Sequence, residues 1–167
     1  LESDIYVNQR NVNYALEGDR VEVVLQRQAL RAGDNPEGAI TKVLERSNKQ
    51  YVGVAEVSRA AIFVRPDARK LPMDVFFARK DYPQVKDGDK VVFRVTEWHE
   101  GLRSPRGVIV DVLGQTGDND AEMHAILAEY DLPYRFEQEI EDAALAIDGR
   151  ITERDYAERR DFRDIVT

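Results

Sequence analysis

Three phenylalanines stand among arginines in one short stretch of the chain, Arg59 to Arg79. The stretch predicts two strands whose side chains alternate between a core and a surface, and the surface side carries Arg59, Phe63, Arg65 and Phe76. Aromatic rings stack on nucleic-acid bases, and arginines neutralise phosphates. The pattern therefore predicts a surface that binds single-stranded RNA.

The neighbouring Phe77 allows a second interpretation. Val75 and Phe77 share one face of the predicted strand, which leaves Phe76 on the opposite face. In a protein that covers both faces of its sheet, Phe76 and Phe77 would both belong to the core. The pattern alone does not separate the two, so the RNA prediction depends on Phe63 and Phe76 being exposed.

Further cations in this stretch, Arg69, Lys70 and Arg79, are candidate phosphate contacts. Ordinary surface arginines are equally common, so residue type alone does not assign the role. Trp98 stands at a predicted hairpin, and we expect its ring to pack on a neighbouring strand. The two histidines lie far apart in the sequence, and no metal site is predicted from them.

Charge is distributed unevenly along the chain. The net charge is −8, yet residues 40–110 carry fourteen Lys and Arg against nine Asp and Glu, a net of +5. Residues 115–167 carry six against fifteen, a net of −9. A basic block beside an acidic tail can bind polyanions locally. Cysteine is absent, and no window approaches the ~20 apolar residues of a membrane span. We expect a cytoplasmic protein without a membrane partner.

The chain repeats itself at an offset of about seventy residues. Three blocks recur in the same order: 4–7 with 74–77, 17–21 with 87–91, and 38–44 with 107–113. Solenoid repeats are usually shorter than this. A tandem duplication of a small domain is therefore predicted.

The second copy has the full pattern of a small barrel. Its predicted strands are Tyr51 to Ser58, Ala60 to Arg65, Met73 to Arg79, Lys90 to Trp98 and Arg106 to Leu113. Five short strands without a long helix between them are typical of the Greek-key barrel called the OB-fold. We predict a mainly β protein with the C-terminal part of one OB module in 1–46, a complete OB module in 47–114 and an α-helical connector in 115–167. The start at Leu1 indicates a fragment, whose first copy is either a half-barrel docked on its neighbour or partly disordered.

After Gly114 the hydrophobic period becomes helical. Residues 121–130 place Met123, Ile126, Leu127 and Tyr130 at helical spacing. Residues 136–147 repeat this pattern. We predict two amphipathic helices with solvated acidic faces and no catalytic role for their carboxylates.

Several segments resemble a known family. Residues 59–67, RAAIFVRPD, and 74–79, DVFFAR, are similar to the paired RNA-binding motifs of cold-shock domains, and residues 4–8, DIYVN, resemble the second motif. Two such modules followed by a connector with residues 146–167 resemble the N-terminal half of exoribonuclease R, in the RNase II superfamily. The similarity covers essentially the whole chain.

The resemblance implies a parent enzyme that degrades RNA hydrolytically and processively from the 3′ end with magnesium. Its catalytic aspartates and its terminal OB-type domain would lie beyond Thr167, so this part would bind RNA without cutting it and without a cofactor of its own. The implied partners are the 3′ ends of single-stranded RNA, with low sequence preference, and the parent's own catalytic and terminal OB-type domains.

The family motifs are retained only in part. Phe63 and Phe76 are present, whereas two further positions of the stacking platform are Ala61 and Ala78. Tyr6 occupies the matching place in the first copy and is a further candidate for stacking. Each stacked base contributes ~1–3 kcal/mol, so the reduced platform predicts weak, sequence-tolerant binding.

A second hypothesis belongs to another functional class. The OB modules would be scaffolds that dock the catalytic domain or a protein partner and have no RNA affinity of their own. The acidic connector and the reduced set of aromatic residues favour it.

Overall fold

Strands occupy most of the chain before residue 116, and helices follow them. The computed structural model describes residues 4–27, 35–67, 71, 73–157 and 159. The strands are β1 (Tyr6–Val7), β2 (Arg20–Arg27), β3 (Glu37–Glu45), β4 (Tyr51–Val57), β5 (Ala61–Pro66), β6 (Val75–Ala78), β7 (Asp89–Glu97) and β8 (Arg106–Gln115). The helices are α1 (Asn119–Glu129), α2 (Gln138–Leu145) and α3 (Glu153–Ala157).

Strands β4 to β8 close into a barrel in the order β4-β5-β6-β8-β7, in which β7 pairs back with β4. Strands β6 and β8 run parallel, and the other neighbouring pairs in the barrel run antiparallel. This is the five-stranded OB-fold barrel that the strand pattern predicts. The observed strands begin and end close to the predicted residues.

The barrel core follows from the alternation of side chains along each strand. In β5, Ile62 and Val64 are fully buried, whereas Phe63 and Arg65 point outward. The rings of Phe77 and Phe93 meet edge to face inside the barrel, with centroids 5.8 Å apart. Burying a phenylalanine side chain stabilises a fold by ~1.5–3 kcal/mol, so these two rings are principal contributors to the core.

The first copy forms a three-stranded sheet in the order β1-β3-β2. Strands β1 and β3 are parallel, and β2 and β3 are antiparallel. In the barrel, β6, β8 and β7 have the same order and the same directions. The first sheet therefore reproduces the last three strands of the barrel, as the sequence repeat predicts.

Hydrogen bonds recur at equivalent positions of the two copies. The amide of Tyr6 donates to the carbonyl of Pro36 at 2.8 Å, and the amide of Phe76 donates to the carbonyl of Pro105 at 2.8 Å. These bonds lie at the start of the parallel pairings β1–β3 and β6–β8. Tyr6 and Phe76 are thus structural equivalents.

The first sheet is joined to the barrel through Trp98. The rings of Tyr14 and Trp98 meet edge to face with centroids 5.1 Å apart. The guanidinium of Arg46 donates to the carbonyl oxygens of Tyr14 at 3.2 Å and Trp98 at 3.0 Å, and it forms an ion pair with the buried carboxylate of Asp19. The ring of Trp98 therefore packs on the first copy, and the described residues of that copy form a docked sheet.

Helix α1 packs on the barrel through small residues. Ala121, Ala125 and Ala128 are its buried positions, and Ala125 and Ala128 join a cluster with Val52 of β4 and Val92 of β7. The sequence pattern predicts that Met123, Ile126 and Tyr130 lie on the apolar, packed face of α1. This prediction was wrong, because these three side chains are exposed. Alanine side chains let the helix backbone approach the convex outer surface of the barrel more closely than large side chains would.

A buried lysine fixes α1 to the barrel. The ammonium of Lys90 lies 3.0 Å from a carboxylate oxygen of Asp67 and 2.9 Å from one of Glu122, which belongs to α1. Burial alone would lower the pKa of Lys90, but the hydrogen bonds and charges of Glu122 and Asp67 outweigh it and raise that pKa. The hydrogen bond from Lys90 lowers the pKa of Glu122, and a second bond from the amide of Gly117 adds to this effect.

One compact unit ends at Tyr134, and a second unit begins at Arg135. In the second unit, α2 confirms the predicted helix over a shorter range. Its apolar side chains Ile140 and Leu145 are exposed. Within the described residues, no helix has the length and apolar character needed to cross a membrane.

Candidate nucleic-acid interface

One residue from each strand of the barrel contributes to a row across its outer surface. Each neighbour in the row is a register partner in the sheet. In order from β4 to β7, this cross-strand row consists of Glu56, Phe63, Phe76, Arg106 and Glu97. The row places two aromatic rings between a carboxylate on one side and an arginine on the other.

The two rings lie at the surface of the barrel. Phe63 is 37% exposed, Phe76 is half-buried, and Phe77 is only 2% exposed. The rings of Phe63 and Phe76 meet edge to face, with centroids 5.7 Å apart and an angle of 67° between their planes. The interpretation that puts both Phe76 and Phe77 in the core is therefore wrong, and Phe63 offers the more open ring for stacking.

Arg106 stands next to the aromatic pair. Its Cζ atom lies 6.0 Å from the centroid of the Phe76 ring, at the outer limit of a cation–π contact. A guanidinium nitrogen of Arg106 lies 3.7 Å from a carboxylate oxygen of Glu97, and both side chains are more than half exposed. An exposed pair of this length contributes little energy. The guanidinium can therefore exchange Glu97 for a phosphate at low cost.

A cavity of about 340 Å³ opens beside the rings. Its lining consists of Phe63, Phe76, Arg106 and the β7–β8 loop from Gly101 to Ser104. Arg103 of this loop has no hydrogen-bond or ion-pair partner among the residues that the structure describes. An apolar wall with two guanidinium groups at its rim suits a nucleotide, whose base stacks and whose phosphate carries charge.

The other predicted cations of the barrel have varied surroundings. Arg65 is outward-facing and its Nη1 atom lies 3.2 Å from Oε1 of Glu56. Arg59 is exposed in the turn before β5, between the two strands that the sequence predicts on either side of it. The guanidinium of Arg79 donates to the carbonyl of Tyr82, at the end of the 3₁₀ turn that begins at Arg79, which gives it a structural contact.

Tyr6 lies on the first sheet and is 60% exposed. It is the equivalent of Phe76, but its register partner is Glu37, whereas the partner of Phe76 is Arg106. The first copy thus has a carboxylate where the barrel has a guanidinium. Arg69 and Lys70 lie outside the described residues.

The sequence interpretation missed Glu56, Arg103 and Arg106. Strand alternation finds residues that share a strand with Phe63 or Phe76. These three reach the rings from other elements: Glu56 from β4, Arg103 from the β7–β8 loop and Arg106 from β8. The segment Ser104-Pro105-Arg106, which leads into β8, was the available signal. It becomes informative only once β8 is paired with β6.

Magnesium, which the family resemblance implies for the parent enzyme, finds no ligand set in the described ranges. No cluster of three or more His, Cys, Asp or Glu residues there could hold a metal ion.

Comparison with known proteins gives consistent matches. Residues 63–137 match the family model described as "Cold shock domain". Ribonuclease R of Thermotoga maritima is 30% identical over 165 residues, which are 98% of this chain and 23% of that protein. The chain spans between a fifth and a third of the length of the first three curated relatives, all ribonuclease R.

Solved structures show the same fold at low sequence identity. Mycoplasma genitalium RNase R, solved in complex with ribose-methylated single-stranded RNA, aligns with a TM-score of 0.68 at 20% identity over 87% of this chain and 23% of that one. Yeast Ssd1, described as a pseudonuclease, aligns with a TM-score of 0.58 at 18% identity over 79% of this chain and 22% of that one.

Proposed function

We propose that this chain, a relative of ribonuclease R that carries a cold-shock domain, binds single-stranded RNA and guides it within a 3′-to-5′ hydrolytic exoribonuclease. The observation that carries the proposal is the exposed Phe63–Phe76 pair beside Arg103 and Arg106 around one open cavity. Stacking platforms with cationic rims bind single strands with little dependence on sequence.

The geometry supports weak binding. Two rings in edge-to-face contact offer less stacking surface than two parallel rings, and Arg106 and Arg103 supply two phosphate contacts at the cavity. A guiding surface benefits from weak contacts, because a strand that must move past it cannot be held tightly. The roles of Arg59, Arg65, Arg79, Tyr6, Arg69 and Lys70 as additional RNA contacts belong to this proposal.

Catalysis is assigned to the remainder of the parent protein in this proposal. The first three curated relatives are named ribonuclease R and are about three to five times longer than this chain. Magnesium, the preference for 3′ ends, the parent's catalytic and terminal OB-type domains as partners, and a cytoplasmic location all follow from that assignment. The chain itself would bind the strand and not cut it.

Fluorescence anisotropy with labelled oligo(A) tests the binding proposal. We expect saturable binding that weakens as salt is added. The triple variant Phe63→Ala, Phe76→Ala, Arg106→Gln should bind at least tenfold more weakly, because it loses both the stacking surface and a phosphate contact. Equal affinities of wild type and triple variant would remove the proposed surface.

A second candidate function is docking. The outer side of α1 exposes Met123, Ile126 and Tyr130, which are apolar side chains without a packing role in the described part of the barrel unit. Such a face fits the alternative in which the module docks the catalytic domain or a protein partner. Mixing this chain with the rest of the parent tests it: stable association together with absence of oligo(A) binding would favour docking.

A further inference from the structure

Glu56 stands beside Phe63 on the side away from the arginines. It is the register partner of Phe63 in the β4–β5 pairing, and its side chain is 59% exposed. The Nη1 atom of Arg65 lies 3.2 Å from Oε1 of Glu56. Among the described residues, Oε2 has no hydrogen-bond or ion-pair partner.

Phe63 separates two cavities of different charge. The cavity described above contains Arg103 and Arg106. On the other side of the ring, the described residues that line a cavity of about 600 Å³ include Glu56, Asp87 and a single arginine, Arg65, which is already paired. Among these described residues, the first cavity carries a net positive charge and the second a net negative charge, so a phosphate is favoured at the first. Arg65 then acts on RNA through Glu56 and not as a direct phosphate contact.

This asymmetry orients a nucleotide that stacks on Phe63. Its phosphate lies toward Arg103 and Arg106, so the hydrogen-bonding edge of its base lies toward Glu56. A carboxylate accepts a hydrogen bond from the amino group of a base such as cytosine. Uracil presents a carbonyl oxygen at the same position, and two acceptors facing each other repel.

We propose that Glu56, held by Arg65, reads the base stacked on Phe63 and selects bases that carry an exocyclic amino group over uracil. The inference rests on the proposed RNA-binding function and deepens it. It concerns a single nucleotide position at a solvent-exposed carboxylate, so the preference is small and the surface as a whole remains tolerant of sequence.

Oligo(C) and oligo(U) of equal length test the inference, because cytosine and uracil differ at this position by an amino group against an oxygen. With the 167-residue chain and anisotropy at fixed ionic strength, we expect oligo(C) to bind about fivefold more tightly than oligo(U), the low end for a specific base contact. Glu56→Gln should bring the ratio of affinities to about one, because an amide pairs with either base. Glu56→Asp keeps the charge but shortens the side chain, which moves the carboxylate away from the base, so this variant should give an intermediate ratio of affinities.

Glu97→Gln is the matched control. Glu97 lies at the opposite end of the cross-strand row and is also exposed and ion-paired, in its case with Arg106. Its variant should raise the affinity for both oligonucleotides equally and leave their ratio unchanged.

The outcomes separate the two levels of the proposal. If both oligonucleotides bind and Glu56→Gln leaves their ratio unchanged, base reading by Glu56 is overturned while RNA binding stands. An equal rise in both affinities has the same meaning, since it shows only repulsion of phosphate. If neither oligonucleotide binds the wild type, the proposed function fails and the base-reading inference fails with it.

Discussion

The guanidinium of Arg106 lies 6.0 Å from the ring of Phe76 because β8 runs parallel to β6 and begins beside it. This pairing brings a cation to an aromatic residue from another part of the sequence. The barrel closure and the candidate site therefore depend on the same strand contact.

Loss of this cation should weaken binding and its salt dependence. We expect Arg106→Gln to lower the affinity for oligo(A) several-fold and to reduce the slope of log affinity against log salt by about 0.7, the value for one phosphate contact on a single strand. Titrations at several salt concentrations measure both. Arg150→Gln is the control, because Arg150 is exposed and ion-paired with Asp148 in the second unit. Equal slopes for wild type and Arg106→Gln would exclude a phosphate contact.

Removal of the exposed ring should also weaken binding. Phe63→Ala deletes a stacking surface worth ~1–3 kcal/mol, so we expect at least a fivefold loss of affinity for oligo(A). Phe136→Ala removes an equally apolar ring that is exposed in the second unit, and it should leave the affinity unchanged. If both variants bind oligo(A) with the affinity of the wild type, Phe63 does not stack on RNA.

The stability of the first sheet should depend on Arg46, which also donates to the carbonyl of Trp98 in the barrel. Arg46→Ala leaves the buried carboxylate of Asp19 without its cation, although the amides of Leu16 and Ser47 still donate to it. Because these bonds remain, we expect a loss of about 2 kcal/mol, below the 3–5 kcal/mol of a fully broken buried pair. Urea unfolding measures it.

Lys49→Ala is the control for this experiment. It breaks the more exposed ion pair with Glu17 and should cost less than about 1 kcal/mol. Similar losses for Arg46→Ala and Lys49→Ala would show that burial of Asp19 adds nothing to the strength of its ion pair with Arg46.

The attachment of α1 should weaken in acid. The pKa of Glu122 is lowered in the folded protein, so its stabilising contribution is complete above its ordinary pKa of 4.5 and is lost as the pH falls below that value. The pKa of Lys90 is raised, so its contribution is complete below its ordinary value of 10.5 and is lost only at higher pH. The protection factors of the α1 amides, in which the intrinsic pH dependence of exchange is corrected for, should therefore fall below about pH 4.5, before those of the barrel.

Glu122→Gln should reproduce this loss at neutral pH. The effect should be about 1 kcal/mol or less, because Glu122 is partly exposed to solvent. Glu129→Gln changes a carboxylate at the C-terminal end of the same helix and should not increase the exchange, because a negative charge at that end does not stabilise a helix. Identical exchange of α1 in the wild type and Glu122→Gln would remove the proposed role of the Lys90 pair.

Gly107 is required for the close approach of β7 and β8. A Cβ atom at Gly107 would lie 2.2 Å from the carbonyl oxygen of Arg94 and 3.1 Å from a ring carbon of Phe77. We expect Gly107→Ala to destabilise the barrel by about 2 kcal/mol in urea unfolding, in the range of other overpacked sites. Gly149→Ala is the control, since its added Cβ would meet no atom within 4 Å. A wild-type midpoint for Gly107→Ala would show that the strands separate without cost.

Local alternation was sufficient to predict the strands and the outward position of Phe63. Ile62 and Val64 on one side and Phe63 and Arg65 on the other fix the face of β5 without any knowledge of its neighbours. The repeat was likewise readable, because strands with the same partners need similar residues at the same spacing.

Contacts between distant segments were not predictable in this way. Tyr14 meets Trp98 through the docking of the two copies, and Arg106 meets Phe76 through a parallel strand pair. The packing face of α1 was missed for a different reason. Hydrophobic periodicity weights large side chains such as Met123, whereas contact with the barrel is made by alanines.

Trp98 has one further consequence. It is bound to the first sheet through Tyr14 and Arg46, and it stands directly before the turn that leads to Gly101 on the cavity rim. A displacement of that turn would also strain the contact of Trp98 with Tyr14 and Arg46, which joins the two copies. A strand bound in the cavity and a movement of the first sheet would thus both act on the position of the Trp98 indole.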